Sequence, residues 1–175
     1  MSIAIETAAT AEVWTEQGFV EDAWHLPAED REPDDDTLLP LDALEEALEA
    51  RAGRNVPLGV LLQPGDDVER LRPHLDRLAL VAIAFPAYTD GRGYSMATLL
   101  RERLGYRGDM RAVGDVLLDQ VPYMLRCGFT SLAVTHAPTR ARLQAGDIPG
   151  VTLHTQPTAR DEPRTGGYSW RRGSL

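Results

Sequence analysis

Apolar positions in this chain alternate with polar ones near its start, then recur at helical spacing, then bunch into short uninterrupted runs. In AEVWTEQGFVEDAWHLP (residues 11–27) the partial alternation on both sides of Gln17-Gly18 predicts two short strands joined by a tight turn. The next stretch, AEDREPDDD, is charged, contains proline and has nothing to bury, so it reads as an exposed linker. From Leu41 the period changes. LDALEEALEARAG sets Leu41, Leu44 and Leu48 on one helical face, with Asp42 and Glu45 in a capping-box pattern and Gly53 as the stop.

Strand and helix patterns then take turns. VPLGVLL is a short apolar strand. DDVERLRPHLDRL is helical through Val68, Leu71, Leu75 and Leu78, with a kink expected at Pro73. ALVAIAF is the next strand, and SMATLLRERLG a helix capped by Ser95 and ended by Gly105. DMRAV follows as a strand, then DVLLDQVPYMLRCG as a helix capped by Asp115 with Pro122 inside it. SLAVTH is a strand, TRARLQAG a short helix and VTLHT a candidate last strand.

This alternation predicts an α/β fold: a parallel sheet of about four or five strands in βαβ units, Rossmann-like or a partial barrel, with an N-terminal β-hairpin appendage. The expected divisions are a hairpin and acidic linker over 1–40, an α/β domain over 41–155, and a flexible, Pro- and Gly-rich tail over 156–175. Strand order does not follow from the pattern.

Charge changes the picture next. The chain carries a net charge of −9, but residues 1–50 alone carry −14 and residues 51–175 carry +5. Every basic residue is arginine, a bias expected from genome composition before function. The acidic balance excludes a nucleic-acid binder, which needs a basic face. No apolar run is long enough to span a bilayer, so no membrane partner is expected. The start, MSIAIETAATAEVW, has acids and no basic leader, and the cytoplasm is the expected compartment. The single cysteine, Cys127, excludes an intrachain disulfide and any site built on several thiolates, and it reads as a buried structural thiol. The four histidines show no metal-ligand spacing, so no metal and no cofactor are expected.

In a parallel sheet the loops that follow strands gather at one edge, where ligands bind. Three qualify here: QPGDD, PAYTDGRGYS and Gly114-Asp115. The second is the richest. Gly91 and Gly93 would admit a ligand to the backbone, Arg92 would contact an anion, and Tyr94 and Ser95 would present the helix start. Asp90 would orient Arg92 or act as a base. Arg111 would add a second cation. Asp115, the other acid/base candidate, would share a helix face with Asp119. Thr89, Asp119, Gln120 and His136 would support the site. The competing reading is ordinary: Asp-Gly is a common turn, and Ser95 and Asp115 are common caps. Neither the P-loop pattern nor the dinucleotide fingerprint occurs.

Together, FPAYTDGRGYSMATLLRERLGYRGDMRAVGDVLLDQVPYMLRCGF and its flanks, from Leu41 to Val134, resemble the bacterial domain-of-unknown-function 934 family. Its members are commonly described as oxidoreductases of sulfite reduction. The resemblance implies a role in assimilatory sulfate reduction beside a sulfite or nitrite reductase haemoprotein. One cysteine and no nucleotide fingerprint leave independent redox catalysis without a visible cofactor site. The expected function is therefore an accessory protein of sulfite reduction that binds a small oxyanion, the haemoprotein, or both. The alternatives are a small enzyme acting on a phosphate- or sulfate-bearing metabolite, and a non-catalytic structural or regulatory interaction protein.

Overall fold

The structure is a computed structural model that describes residues 12–27, 34–51, 54 and 56–150. The expected strand VTLHT, the tail, the Gly53 stop and most of the acidic linker lie outside the described residues.

Seven strands form one sheet: β1 (Glu12–Thr15), β2 (Gly18–Glu21), β3 (Leu38–Pro40), β4 (Leu58–Leu62), β5 (Leu78–Phe85), β6 (Asp109–Gly114) and β7 (Ser131–Leu132). Their spatial order is β2-β1-β7-β6-β5-β4-β3. From β3 to β7 every pairing is parallel and the order follows the sequence, while β1 joins β7 and β2 antiparallel. The sheet thus holds more strands than the four or five expected, because the hairpin and Leu38–Pro40 enter it. Leu38–Pro40 carries no alternation and ends in proline, which is tolerated in an outer strand.

Sequential order, with the right-handed crossovers usual for parallel strands, puts the helices among the described residues on one face of the sheet. The core shows this directly. One cluster joins Val60, Leu62, Val81, Ile83, Phe85 and Leu132 to Met96, Leu100, Met124 and Leu143 of the helices. The opposite face buries Val13, Leu38, Leu61, Leu80, Ala82, Ala84, Val113 and Ala133, with no helical residue among them. Its cover is the strap that follows β2, whose Trp24 and Leu26 pack on it. Gly59 makes room for this strap, since a Cβ there would lie 2.5 Å from the Trp24 ring.

The strap also measures the curl of the sheet. Seven strands have six gaps, which would hold the edges of a flat sheet ~29 Å apart at ~4.8 Å per gap. Yet the chain leaves β2 at Glu21 and by His25 is bridged to Thr37 beside β3. Four residues reach no more than ~14 Å. The sheet must therefore bend, which brings its two edges closer than a flat sheet would hold them, with the helix-free face inside. Small side chains at Ala82, Ala84, Ala133 and Gly59 suit that tight interior.

The helices depart from the expected starts. α1 covers Leu44–Ala50 after a 3-10 turn at Leu41–Ala43. Val68–Arg77 winds as 3-10 helix throughout, with Pro73 inside it and Asp67 capping the Glu69 N–H at 3.0 Å. α2 begins at Arg92 and runs to Thr98, then opens into a π-helical turn at Leu99–Arg103. α3 covers only Val121–Arg126, preceded by a 3-10 turn at Leu118–Gln120. Pro122 therefore sits in the first turn of α3, where its missing N–H costs nothing. α4 spans Ala137–Gln144 and fastens the hairpin from the helix side. Its Arg140 donates to Glu12 Oε2 at 2.9 Å and lies over the Phe19 ring at 4.3 Å.

Candidate functional site

The loop between β5 and α2 leaves the sheet beside the end of β6, where Phe85 pairs with Gly114. Gly114 has φ +100°, and a Cβ there would meet the Phe85 carbonyl oxygen at 2.4 Å. That turn sends Asp115 back towards the loop. The Asp115 N–H donates to Phe85 O at 2.7 Å, and the Asp115 carboxylate accepts the Tyr88 N–H at 2.9 Å. Gln120 completes the grip: its Nε2 donates to Tyr88 O at 3.0 Å, while its Oε1 accepts the Leu117 N–H at 2.9 Å. Both backbone polar groups of Tyr88 are thus held by side chains, and the residue stands 57% exposed.

Arg92 is held differently. Its Nε and Nη2 donate to the two oxygens of Asp90, at 2.9 and 2.6 Å, and its Nη1 donates to Pro64 O at 3.2 Å. The Arg92 N–H also donates to Asp90 Oδ1 at 3.1 Å, so Asp90 serves the start of α2. The Arg92 hydrogen bond holds the Asp90 carboxyl below the usual aspartate range, and the reciprocal bond pushes Arg92 up. A carboxylate held this way is a weak base. The guanidinium keeps 62% of its side-chain surface exposed, but its best bidentate edge is already taken.

Gly93 is buried because the Phe85 ring occupies the space where a Cβ would go, 2.6 Å from it. Gly91 has φ −82° and only distant neighbours, so neither space nor backbone conformation demands glycine there. Neither glycine has a positive φ. Phe129, Phe85, Tyr94 and Tyr123 form a file of rings with successive centroid separations of 5.8, 5.2 and 4.8 Å. Burial pushes the Tyr94 phenol up to about 12. Cys127 is buried beneath this file, and desolvation pushes its thiol up despite hydrogen bonds with Thr98 and Tyr123.

Several expected placements do not hold. Ser95 is not a cap: α2 starts three residues earlier, and Ser95 is an exposed position within it. Asp115 is no cap either, since the helical turn begins at Leu118, so Asp115 and Asp119 do not share a helix face. Asp119 and Thr89 are exposed. Arg111 lies on the inner face near the start of β6, away from this edge. Its Nη1 donates to both oxygens of Asp22 at 2.8 and 2.7 Å, and its Nε donates to Ser131 Oγ at 3.1 Å. His136 precedes α4, with its Nδ1 2.8 Å from Thr139 Oγ1. The structure thus gathers Asp90, Arg92, Asp115 and Gln120 around the loop and leaves Arg111 outside it.

Tyr88 was the residue that sequence reasoning passed over. Its signal was an aromatic in the middle of a Pro-Ala-Tyr-Thr-Asp turn, where burial was not on offer. Among the described residues, no group of three or more His, Cys, Asp or Glu is placed to hold a metal ion. No helix there is long and apolar enough to cross a membrane.

No curated protein matches the chain. Residues 59–163, which include the strand-end loop, both aspartates and the Gln120 clamp, match the profile of a family described as a bacterial protein of unknown function, and the chain belongs to that family, DUF934.

Proposed function

We propose that this protein is a non-catalytic accessory protein of assimilatory sulfite reduction, working in the cytoplasm, and that it docks on the reductase haemoprotein through the loop around Tyr88. The pathway and the partner come from the family resemblance set out above. The docking reading rests on one observation: Tyr88 is clamped through its N–H and its C=O by Asp115 and Gln120, yet the residue is 57% exposed. A turn that only connected a strand to a helix would not need an ordered, outward aromatic. Tyrosine and arginine on a rigid support supply contact area at low entropic cost, the usual composition of an interface anchor. Tyr123, 47% exposed, is a second outward tyrosine, with its ring centroid 4.8 Å from that of Tyr94 in α2.

The enzyme reading is less favoured. Asp90 is engaged through both oxygens by Arg92, which makes it a weak base, and Asp115 spends one oxygen on the Tyr88 N–H, so both candidate acid/bases have structural duties. Oxyanion binding remains a second reading, supported by the exposure of Arg92 and the long 3.2 Å contact of its Nη1.

Growth of a deletion strain on sulfate, sulfite or sulfide tests the pathway. Growth on sulfide alone, rescued by the wild-type gene, supports it, and normal growth on all three overturns it. Co-purification with the haemoprotein tests docking. Loss with Tyr88→Ala in a folded protein supports the surface, and undiminished binding refutes it. Calorimetric titration with sulfite, lost with Arg92→Ala, would support the anion reading.

A further inference from the structure

The geometry points to a second binding site, for a small organic amine in its protonated form, on the inner face of the curled sheet at the end opposite Tyr88. A cleft of about 470 Å³ opens there between the hairpin, the strap and the starts of β6 and β7. That volume lies within the range of small-molecule pockets. The site stands apart from the Tyr88 surface and does not depend on the pathway proposed above.

The charges that meet in the cleft do not balance. Arg111 is the one cation among the described residues that line it, and it is ion-paired with both Asp22 and Asp109. The two oxygens of Asp22 accept from Nη1 at 2.8 and 2.7 Å, and both side chains of that pair are largely withdrawn from water. Asp109 Oδ2 stands further off, 3.7 Å from Nη2, so it shares an arginine that Asp22 already neutralises. One negative charge is left over, and Glu21, exposed at the rim, adds to it.

Asp109 is oriented to receive a ligand. Thr130 Oγ1 donates to one of its oxygens and Ser131 Oγ to the other, the latter at 3.1 Å. A carboxylate offers about four acceptor sites, so these two hydroxyls fix the group without exhausting it. Its side chain keeps 38% of its surface open. Around it the cleft is walled by Val13, Val20 and Trp24. An ammonium group at Asp109 would cancel the leftover charge, and the apolar body of the ligand would lie along these walls, where the indole face attracts a cation. An anion would face two carboxylates with the arginine already committed. A neutral molecule would leave the charge uncompensated. A bare metal ion finds no group of three or more His, Cys, Asp or Glu here among the described residues, and Arg111 would repel it.

NMR titration of the full chain with benzylamine tests this, with benzyl alcohol as the neutral control of the same shape and benzoate as the anionic one. Saturable shifts of the Trp24 indole and Ser131 amide signals are expected with millimolar benzylamine, and both controls should be weaker by about tenfold or more, a difference of about 1.4 kcal/mol. Asp109→Asn keeps the size and removes the charge, and should weaken benzylamine by a similar factor. Val20→Arg, at an exposed position lining the cleft, sets a competing cation at its mouth and should do the same. Urea midpoints show which variants are folded, so Val20→Arg decides if Asp109→Asn is not. The absence of saturable shifts with benzylamine would overturn the inference. So would equal binding of benzyl alcohol or benzoate, or undiminished benzylamine binding in a folded variant.

Discussion

Removing the carboxylate of Asp22 would strike the contact that holds the strap across the inner face of the sheet. Asp22 and Arg111 are 89 positions apart in the chain, and both oxygens of Asp22 lie within 2.8 Å of Nη1. With side chains 8% and 6% exposed, both groups are largely withdrawn from water, so losing either leaves its partner poorly compensated. Deleting one member of such a buried pair costs about 3–5 kcal/mol, since the remaining charge stays buried. Asp22→Ala also frees the Trp24 N–H, which Asp22 Oδ1 accepts at 3.0 Å. For a chain of this size, a urea m-value of about 2–3 kcal/mol per M turns that cost into a midpoint shift of about 1–2 M. The double variant Asp22→Ala/Arg111→Met removes both charges and should be more stable than Asp22→Ala alone, with a coupling of about 2 kcal/mol or more. Equilibrium urea unfolding of the four proteins reads this cycle. A loss under about 1 kcal/mol for Asp22→Ala would refute the reasoning, as would a double variant as poor as the two single losses summed.

Gly114→Ala should cost more than about 1–2 kcal/mol, because φ is +100° and the Phe85 carbonyl fills the space, whereas Gly91→Ala should lose no more than about 1 kcal/mol as a helix-start effect. Thermal unfolding of both variants tests the contrast. Cys127 should react slowly with a thiol reagent in the native protein and fully in urea, because desolvation keeps the thiol protonated and access is closed. Ultraviolet titration should find a phenol, Tyr94, that ionises only near pH 12. Its folded-state value lies above the ordinary tyrosine value, so the unfolded chain loses that proton first. The associated stability is present below about pH 10 and is lost as pH rises towards 12.

The central strands were legible because β4 and β5 are unbroken apolar runs, the mark of strands covered on both faces. The hairpin was legible because Val13 opposite Val20 and Trp14 opposite Phe19 alternate in step. Asp90 and Arg92 were within reach of one another by spacing alone. Capping was misread because Ser95 and Asp115 have the composition of caps but not the conformation. The Asp90 carboxylate takes the Arg92 N–H, and Gly114 diverts the chain so that Asp115 serves Tyr88 instead. Arg111 was misplaced for a different reason. Strand direction was known, but which face an inward arginine meets depends on a strap that crosses from the far end of the sequence. The curl had no local sign at all, since it follows from the three residues between Glu21 and His25 joining two edges that the chain order keeps apart.

The position of β1 imposes an order of assembly. It is made well before its pairing partner on the parallel side, β7, which lies more than a hundred residues later. Until Ser131–Leu132 emerges, the hairpin has no neighbour to join, and the inner face has only one anchored edge. β7 is thus the step that lets the earlier-made hairpin dock, and a chain truncated before it would expose Val13, Ala82, Ala84 and Val113 together.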